Sequence, residues 1–285
     1  MYQTGFLFIS ALVHSFKKTK MNTLKIAIQK SGRLNEESLQ ILKDCGISIN
    51  NGNDQLKAEA SNFPLEILFL RNSDIPQYLL DGVVDAAIVG DNLLVEKGQN
   101  ITVAEKLGFS KCRVSVAVPK TFEYNSIQDL NNLRVATSYP TTVLDFFKSK
   151  NVSIEIHQIS GSVEIAPNIG LSDAIVDIVS SGSTLFKNNL KEVEVILKSE
   201  AVLAVSPNIS SENQQILNKL RFRIQSVLKA RKSKYILMNV PNDKIEEVSQ
   251  ILPVLKSPTI MPLAESGWSV RLRRWCCKKV SGLRF

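Results

Sequence analysis

The stretch "SDAIVDIVSSGSTL", residues 172–185, joins an apolar run to a loop of small polar residues. The run from Ala174 to Val179 predicts a buried strand, and residues 180–184 follow at its carboxyl end. Ligands of open α/β sheets bind at that end, because loop amides and the next helix's N-terminus favour anions. The stretch therefore predicts an α/β fold with an anion-binding loop made of Ser180, Ser181, Gly182, Ser183 and Thr184.

Two acids belong to the same stretch, since Asp173 and Asp177 stand four residues apart in it. Carboxylates accept hydrogen bonds from sugar hydroxyls and repel phosphate, so the acids and the loop together predict a ribose 5-phosphate site. Taken alone, the stretch fits equally well with a solvated Asp173 and an ordinary turn at "SSGST". Asp177 could also face inward and cap a neighbouring loop.

Short β-rich runs alternate with helical patterns through residues 21–265, which predicts α/β architecture with mainly parallel sheets. Strands are predicted at Leu24 to Gln29, Leu65 to Leu70, Ala86 to Val89, Arg113 to Val118, Arg134 to Thr137, Ser153 to Ile159, Ala174 to Val179, Val193 to Leu197 and Ala201 to Val205. Helices are predicted in "NEESLQILKDCG", "SDIPQYLLDG" and "TTVLDFFKSK", and a longer one from Ser210. The runs "YILMNVP", "NDKIEEVSQIL" and "PTIMPLA" then predict a compact β-α-β module.

The composition is that of an ordinary globular protein, with 285 residues of which 44% are hydrophobic and 22% charged. The net charge of +8 belongs to the two ends, since residues 1–20 carry three lysines and residues 266–285 carry six cations, neither with an acid. Residues 21–265 therefore carry a net charge of −1, which argues against nucleic-acid binding. No run of about 18 apolar residues occurs, so no membrane span is predicted.

The histidine and cysteine content limits the kinds of catalytic or metal site, and the cellular compartment, that the sequence favours. His14 and His157 are the only histidines in the sequence, too few to favour a histidine metal site or a Ser/His/Asp triad. The four cysteines show no CxxC spacing, which fits a reducing cytoplasm better than a zinc site or a disulfide framework. Residues 1–20 place their positive charges after an apolar stretch, unlike a signal peptide, so we expect a non-native extension before a natural start at Met21.

A set of motifs in one order resembles the long form of the ATP phosphoribosyltransferase family. These motifs are "IAIQKSGRL", "RNSDIPQYLLDGVVDAAIVGDN", "KCRVSVAVP", "RVATSYP", "GSVEIAPNIGLSDAIVDIVSSGSTL" and "RIQSVLKARKSKYILMNVP". The resemblance implies a two-lobed catalytic core of the type II periplasmic-binding-protein fold and a partial ferredoxin-like α+β C-terminal module. Lobe I would comprise residues 21–111 and 200–229, lobe II residues 112–199 with the phosphoribosyl pyrophosphate loop, and the partial regulatory domain residues 230–265.

The resemblance also implies a reaction, the first step of histidine biosynthesis. In it, N1 of the adenine of ATP attacks the anomeric carbon of phosphoribosyl pyrophosphate, and pyrophosphate leaves. Similar enzymes use Mg²⁺, are inhibited by histidine and form homo-oligomers, here a dimer or a hexamer; the sequence does not identify metal ligands. A two-lobed solute- or phosphosugar-binding protein without catalysis is the alternative, although an exported binder should have a signal sequence.

Carried onto this chain, the resemblance assigns catalytic roles to Arg71, Asp173 and Asp177, with the 5-phosphate in residues 180–184. Substrate-binding positions elsewhere are Lys30, Ser31, Gly32, Arg33, Asp91, Tyr139 and Glu164. The loop after the first strand would hold triphosphate or pyrophosphate, Asp91 would contact sugar or metal, and Tyr139 would stack on a base. The plainer interpretations are a solvated charge for Lys30, a surface ion pair for Arg71, packing for Tyr139 and an N-cap acid for Glu164.

The end of the chain departs from the family pattern. After Trp268 it reads "SVRLRRWCCKKVSGLRF", with six cations, no acid and no strand or helix period. A short divergent tail is one interpretation; we favour a frameshift just after Trp268, which would make residues 266–285 an aberrant basic tail. A regulatory domain cut short in this way is expected to weaken inhibition by histidine and assembly into a hexamer.

Overall fold

The computed structural model describes residues 22–50, 56–97, 101–231, 233–251, 259–262 and 268–276. The expected N-terminal extension and residues 277–285 lie outside these ranges. Within them the strands are β1 (Leu24–Gln29), β2 (Lys57–Glu59), β3 (Leu65–Leu70), β4 (Ala86–Gly90), β5 (Thr102–Lys106), β6 (Cys112–Pro119), β7 (Arg134–Thr137), β8 (Glu155–Gln158), β9 (Ala174–Val179), β10 (Leu190–Ser199), β11 (Ala201–Val205), β12 (Ser233–Pro241), β13 (Thr259–Pro262) and β14 (Trp268–Cys276). The α-helices are α1 (Arg33–Asp44), α2 (Ile75–Leu80), α3 (Asp91–Lys97), α4 (Pro140–Ser149), α5 (Ser183–Lys187), α6 (Ser211–Arg231) and α7 (Ile245–Ile251). All the strands predicted between Leu24 and Val205 are confirmed, whereas β2 and β5 were not predicted.

The first sheet has six strands in the order β2-β3-β1-β4-β11-β5. β3, β1 and β4 are parallel, with Ile26 of β1 aligned with Ile67 of β3 and Ala86 of β4. The central strands β4 and β11 are runs of buried residues, as expected for strands covered on both faces. Ile75 and Leu79 of α2 pack in one buried cluster with residues of β4 and β11, so α2 covers one face of this sheet.

The second sheet has five strands in the order β10-β6-β9-β7-β8. β9, β7 and β8 are parallel, whereas β6 is antiparallel to β9 and β10 is antiparallel to β6. Neighbouring residues of β9 belong to different buried clusters, Val176 with Phe147 of α4 and Ile175 with Leu185 of α5. The second sheet is therefore covered on both faces.

Both sheets are mixed, so the prediction of mainly parallel sheets is wrong. Two of the antiparallel strands, β6 and β11, follow crossings between the sheets: residues 107–111 lead from β5 to β6, and Glu200 alone separates β10 from β11. Each crossing leaves one sheet at the edge where its parallel strands end and enters the other sheet at the corresponding edge. β11 therefore enters the first sheet antiparallel to β4, with Ala201 aligned with Gly90.

One compact unit contains both of these sheets. In it we call described residues 22–38, 47–106 and 201–218 the first lobe, and residues 112–199 the second lobe. The carboxyl ends of β1, β3 and β4 lie at one edge of the first sheet, and those of β7, β8 and β9 at one edge of the second. The two crossing segments, residues 107–111 and Glu200, connect these two edges.

A second compact unit contains Leu39–Gly46 and the residues from Lys219 onward. In it Arg231 contacts Asp44 with an N–O distance of 2.5 Å, and Arg223 donates to the carbonyl of Cys45 at 3.3 Å. Its sheet has the order β12-β14-β13, and the central strand is antiparallel to both neighbours. With α7 between β12 and β13 in the chain, this is the split β-α-β arrangement of ferredoxin-like folds.

Strand β14 corrects the expectation that the chain has no regular structure after Trp268. β14 pairs with β12 over its whole length, from Trp268 opposite Pro241 to Cys276 opposite Ser233. The backbone hydrogen bonds of two flanking strands define a strand whatever its side chains are, so the arginine-rich composition did not reveal it. Ser269 is buried, and its hydroxyl donates to the Asn242 side chain at 2.6 Å.

Candidate active site

The anion-binding loop predicted at residues 180–184 joins the carboxyl end of β9 to α5. Gly182 has a φ of +79°, a left-handed conformation that favours glycine. The hydroxyls of Ser181 and Ser183 lie 3.0 Å apart, and the N–H of Ser183 donates to the Ser181 hydroxyl at 3.4 Å. The N–H groups of Ser181 and Gly182 donate to no other residue that the structure describes. The loop therefore presents backbone and hydroxyl donors that an anion can accept.

Asp177 lies near the carboxyl end of β9, beside this loop. A cavity of about 130 Å³ is lined by Asp177, by Glu164 and by four residues of the loop, Ser180, Ser181, Gly182 and Thr184. Burial raises the pKa of Asp177 to about 6, and the charge of Glu164 acts in the same direction, whereas the N–H of Ile178, donating at 2.7 Å, lowers it. The structure thus brings together two of the predicted acids and the predicted loop.

Asp173 does not share this site. It precedes β9, so the six-residue strand separates it from the loop by roughly 20 Å. Its carboxylate accepts from Nε and Nη2 of Arg134 at 3.1 and 2.8 Å and from the Arg134 N–H at 3.0 Å. These hydrogen bonds hold the pKa of Asp173 below its usual value. The prediction that Asp173 contacts the ribose is therefore corrected: the residue ties the start of β9 to the start of β7.

Two arginines from different lobes meet at Ser180. Arg33, the first residue of α1, donates from Nη1 to the Ser180 hydroxyl at 3.3 Å, and Arg113 on β6 donates from Nη1 to the Ser180 carbonyl at 3.1 Å. Arg33 also pairs with Glu37 at 3.3 Å, and Glu37 accepts a hydrogen bond from Ser110 in the crossing segment. Arg33 was a predicted site residue, whereas Arg113 was missed.

The cleft between the lobes is rich in cations. It has a volume of about 490 Å³ and is lined by Asp91, Lys106, Lys111, Cys112, Arg113, Ser180, Lys198, Ser199 and Glu200. Asp91 was predicted here, and the lysines were not. Lys106 ends β5, Lys111 lies in the crossing segment of residues 107–111, and Lys198 lies near the end of β10, just before Glu200. Their convergence depends on which strands the chain joins, and the one signal in the sequence was that Lys111 and Lys198 lie close to predicted strand ends.

The remaining predicted cations lie at the carboxyl edge of the first sheet. Lys30 follows β1 and Arg71 follows β3; both are exposed, and neither side chain bonds to another residue in the described part of the chain. Gln29 donates from Nε2 to the carbonyl of Ser31 at 2.8 Å, and Gly32 has a φ of +86°. The turn into α1 is therefore held in place, while the two cations are available to a ligand.

Tyr139 follows β7 and is held from the first lobe. Asn92 donates from Nδ2 to the Tyr139 hydroxyl at 3.4 Å, and the N–H of Asn92 donates to the Ser199 hydroxyl at 2.9 Å. Burial raises the pKa of Tyr139, and the charge of Asp177 acts in the same direction. The ring also packs against the buried cluster of the second sheet. These contacts fit the packing interpretation, and stacking of Tyr139 on a base stays a prediction.

Glu96 of α3, which the sequence analysis missed, caps α4 across the lobes. Its carboxylate is 9% exposed and accepts from the N–H of Thr141 at 3.0 Å and from the N–H and hydroxyl of Thr142 at 2.9 and 2.8 Å. A carboxylate at a helix N-terminus satisfies donors that have no partner within the helix and interacts favourably with the helix dipole. α3 thus links the first lobe to the turn that carries Tyr139.

The described residues contain neither a metal-binding cluster nor a helix that could span a membrane, and their free cysteines Cys45 and Cys112 are not activated. Among them, no group of three or more His, Cys, Asp and Glu side chains is arranged to hold a metal ion. Cys45 and Cys112 are free thiols, and burial raises the pKa of both, so neither is activated as a nucleophile. No helix in the described ranges combines the length and the apolar character needed to cross a membrane.

Two mixed sheets joined by two crossing segments, with a cleft and the candidate anion-binding loop between them, define a two-lobed α/β protein. The substrate-binding protein of an amino acid ABC transporter shares this fold, with a TM-score of 0.50 and 16% identity over 73% of this chain and 94% of that one. At that identity the likeness indicates the fold alone.

More similar proteins identify the family. The family model for ATP phosphoribosyltransferase (HisG) matches residues 71–226, and that for the HisG C-terminal domain matches residues 230–271. An ATP phosphoribosyltransferase of Cytophaga hutchinsonii is 55% identical over 246 residues, 86% of each chain. The ATP phosphoribosyl transferase (HisG:HisZ) complex from Thermotoga maritima matches with a TM-score of 0.62 and 30% identity over 73% of this chain and 100% of that one. The chain belongs to the ATP phosphoribosyltransferase family, which confirms the predicted family and enzyme class.

Proposed function

We propose that this chain transfers the phosphoribosyl group of phosphoribosyl pyrophosphate to N1 of the adenine of ATP. The bond between the anomeric carbon and the pyrophosphate oxygen breaks, and a bond from that carbon to N1 forms. The observation that supports this most directly is that Ser180 lines both the small cavity with Asp177 and the cation-rich cleft. One loop residue therefore adjoins a place for a sugar phosphate and a place for polyphosphate.

The sugar phosphate occupies the small cavity in this proposal. The N–H groups of Ser181 and Gly182 and the hydroxyl of Thr184 donate to the 5-phosphate, as expected for a loop at the carboxyl end of a strand. Asp177 and Glu164 accept hydrogen bonds from the ribose hydroxyls, and Asp177 is the stronger acceptor when it is ionised. With a pKa of about 6, Asp177 is mostly ionised at neutral pH.

The pyrophosphate and the triphosphate of ATP occupy the cation-rich cleft. Lys106, Lys111 and Lys198 line it, and the exposed Lys30 and Arg71 lie at the carboxyl edge of the first sheet. Positive charge develops on the ribose as pyrophosphate leaves, and negative charge grows on the leaving group. Fixed cations stabilise that charge, so catalysis needs positioning and electrostatics and no protein nucleophile.

Mg²⁺ enters this proposal together with the polyphosphate of the substrate. The described residues offer no cluster of three acidic, histidine or cysteine ligands, which does not fit a metal held by protein alone. Mg²⁺ usually keeps several waters and binds one or two carboxylates together with substrate phosphates. Asp91 and Glu200, which line the cleft, fit that donor set. When bound, the ion would neutralise charge on the departing pyrophosphate.

Family membership does not favour the alternative of a two-lobed binding protein without catalysis. A cytoplasmic location, assembly into a homo-oligomer as a dimer or a hexamer, and the weakened response to histidine remain predictions. Sedimentation of the purified chain and activity measured against histidine concentration test the last two.

The decisive experiment is to incubate the purified full chain with ATP, phosphoribosyl pyrophosphate and Mg²⁺. We expect phosphoribosyl-ATP and pyrophosphate in equal amounts, detected by mass spectrometry and a coupled pyrophosphate assay. A parallel sample with excess chelator is expected to lose the activity. Saturable binding of both substrates without product would contradict the proposal and support a binding protein.

A further inference from the structure

We infer that Arg113 is a positioning residue that aims the anion-binding loop, and that Glu192 holds Arg113 in place for this. Arg113 donates from Nη1 to the Ser180 carbonyl at 3.1 Å. Its Nε and Nη2 donate to the two carboxylate oxygens of Glu192, each at 2.5 Å. The inference rests on the proposed function, because it assumes that this loop binds a phosphate.

The sheet register places this pair on the face of the sheet that carries the loop. On β6, Arg113 lies opposite Val179, the last residue of β9 before the loop, and Ser115 lies opposite Asp177. Glu192 on β10 lies opposite Ala117 of β6. Residues two apart on a strand share a face, so the guanidinium of Arg113 extends along β6, past Ser115, to reach Glu192.

Because the peptide bond is planar, the contact between Arg113 and the Ser180 carbonyl also fixes the direction of a hydrogen-bond donor. The C=O of Ser180 and the N–H of Ser181 belong to the same rigid plane and point in opposite directions. When Arg113 holds the carbonyl, the direction of the Ser181 N–H is therefore set as well. That N–H donates to no other residue that the structure describes, so it is kept aimed for an anion.

Glu192 fixes the orientation of the Arg113 guanidinium. A guanidinium bound by both carboxylate oxygens keeps one orientation, because the pair is planar and bidentate. The pairing raises the pKa of Arg113 and lowers that of Glu192, so both groups remain charged at neutral pH. A lysine in place of Arg113 would keep the positive charge, but it would lack the geometry that bridges a carboxylate and a carbonyl.

A matched control pair lies at the start of β9, the end of that strand away from the loop. Arg134 forms a similar bidentate pair with Asp173, roughly 20 Å from the loop by the length of β9. Both pairs are partly exposed, so the loss of either should destabilise the fold to a similar, small extent. Only the loss of the Arg113 pair should affect the loop.

The test measures binding of ribose 5-phosphate, which probes the loop without pyrophosphate, and of ATP, by calorimetry on Arg113→Lys, Glu192→Gln and Arg134→Lys. We expect Arg113→Lys and Glu192→Gln to weaken ribose 5-phosphate binding by about fivefold or more and to speed amide hydrogen exchange in residues 180–185. Glu192→Gln, at a position outside the cleft lining, should also leave ATP binding unchanged. Arg134→Lys should change none of these quantities. Unchanged affinity in both test variants, or an equal loss in Arg134→Lys, would overturn the positioning role alone. A wild-type chain that binds neither ribose 5-phosphate nor phosphoribosyl pyrophosphate would overturn the proposed function as well.

Discussion

The carboxylate of Glu96 on α3 accepts two hydrogen bonds from Thr142 on α4, from its N–H at 2.9 Å and its hydroxyl at 2.8 Å, and so joins the two lobes. Glu96→Ala is expected to lower the free energy of unfolding by about 1–3 kcal/mol, because buried donors at the start of α4 lose their partner. The same variant should raise the KM values, since the turn with Tyr139 loses its support from the first lobe. Denaturant titration and steady-state kinetics measure the two effects.

The control for Glu96 is an acid that caps the short 3₁₀ helix Ile127–Leu130 within the second lobe. Asp129 accepts from the N–H groups of Asn125 and Ser126 at 2.7 and 2.8 Å. Asp129→Ala should lower stability without changing the KM values. Equal kinetic effects of the two variants would contradict a specific role for the link between the lobes.

Changes in the anion-binding loop should act on phosphoribosyl pyrophosphate rather than ATP. In Gly182→Ala the new Cβ would meet only Val179, at 3.9 Å, but the φ of +79° is unfavourable for alanine, by about 1–2 kcal/mol. Thr184→Ala removes a hydroxyl donor. We expect the double variant to lower affinity for phosphoribosyl pyrophosphate by about tenfold or more, as measured by calorimetry. Gly170→Ala, at a φ of +74° before β9, introduces similar strain and should leave this affinity unchanged.

The partly buried Asp177 predicts a pH dependence of stability. Its pKa is raised from 3.8 to about 6, so between these values the folded chain binds more protons than the unfolded chain. The contribution of Asp177 to the free energy of unfolding therefore falls as pH rises through this window. Asp177→Asn should gain about 1–3 kcal/mol relative to wild type between about pH 4 and pH 7, as measured by denaturant titration. A constant difference between the two proteins across this range would contradict the assignment.

Arg71 is expected to act on the leaving pyrophosphate. Arg71→Ala should lower kcat by about tenfold or more and raise either KM by less, because the charge it stabilises grows toward the transition state. Arg71→Lys, which keeps a charge, should retain more of the activity. A rise in KM with an unchanged kcat would make Arg71 a residue for substrate binding only.

Asp173 should be dispensable for the chemistry. Asp173→Asn disturbs its pair with Arg134 at the start of β9, and because both side chains are partly exposed the loss of stability should not exceed about 1 kcal/mol. We expect kcat/KM to stay within about twofold of the wild-type value, in contrast to Asp177→Asn. A large loss of kcat in Asp173→Asn would support the sequence-based prediction that Asp173 contacts the ribose.

Local patterns in the amino-acid sequence were sufficient for the strands from β1 to β11, apart from β2 and β5, and for the loop of residues 180–184. Apolar runs bounded by polar turns need no knowledge of their neighbours. Strand β14 was missed because pairing with β12 and β13 defines it, while its side chains are rich in arginine. The acid pair shows a related limit: the predicted ribose site took Asp173 and Asp177 together, whereas the contact of Asp173 with Arg134, 39 residues away, depends on the pairing of β7 with β9.

The order of motifs was enough to identify the family, since each motif is a property of neighbouring residues. The direction of β6, β10 and β11, the cation-rich cleft, and the contacts of Arg113 with Glu192 and Ser180 depended on the tertiary structure. Arg113 and Glu192 stand 79 residues apart in the chain, and Glu96 and Thr142 stand 46 apart. No local sequence pattern encodes such a pairing. Arg113 meets Glu192 because β6 and β10 pair in one sheet, and Glu96 meets Thr142 because the two lobes are in contact.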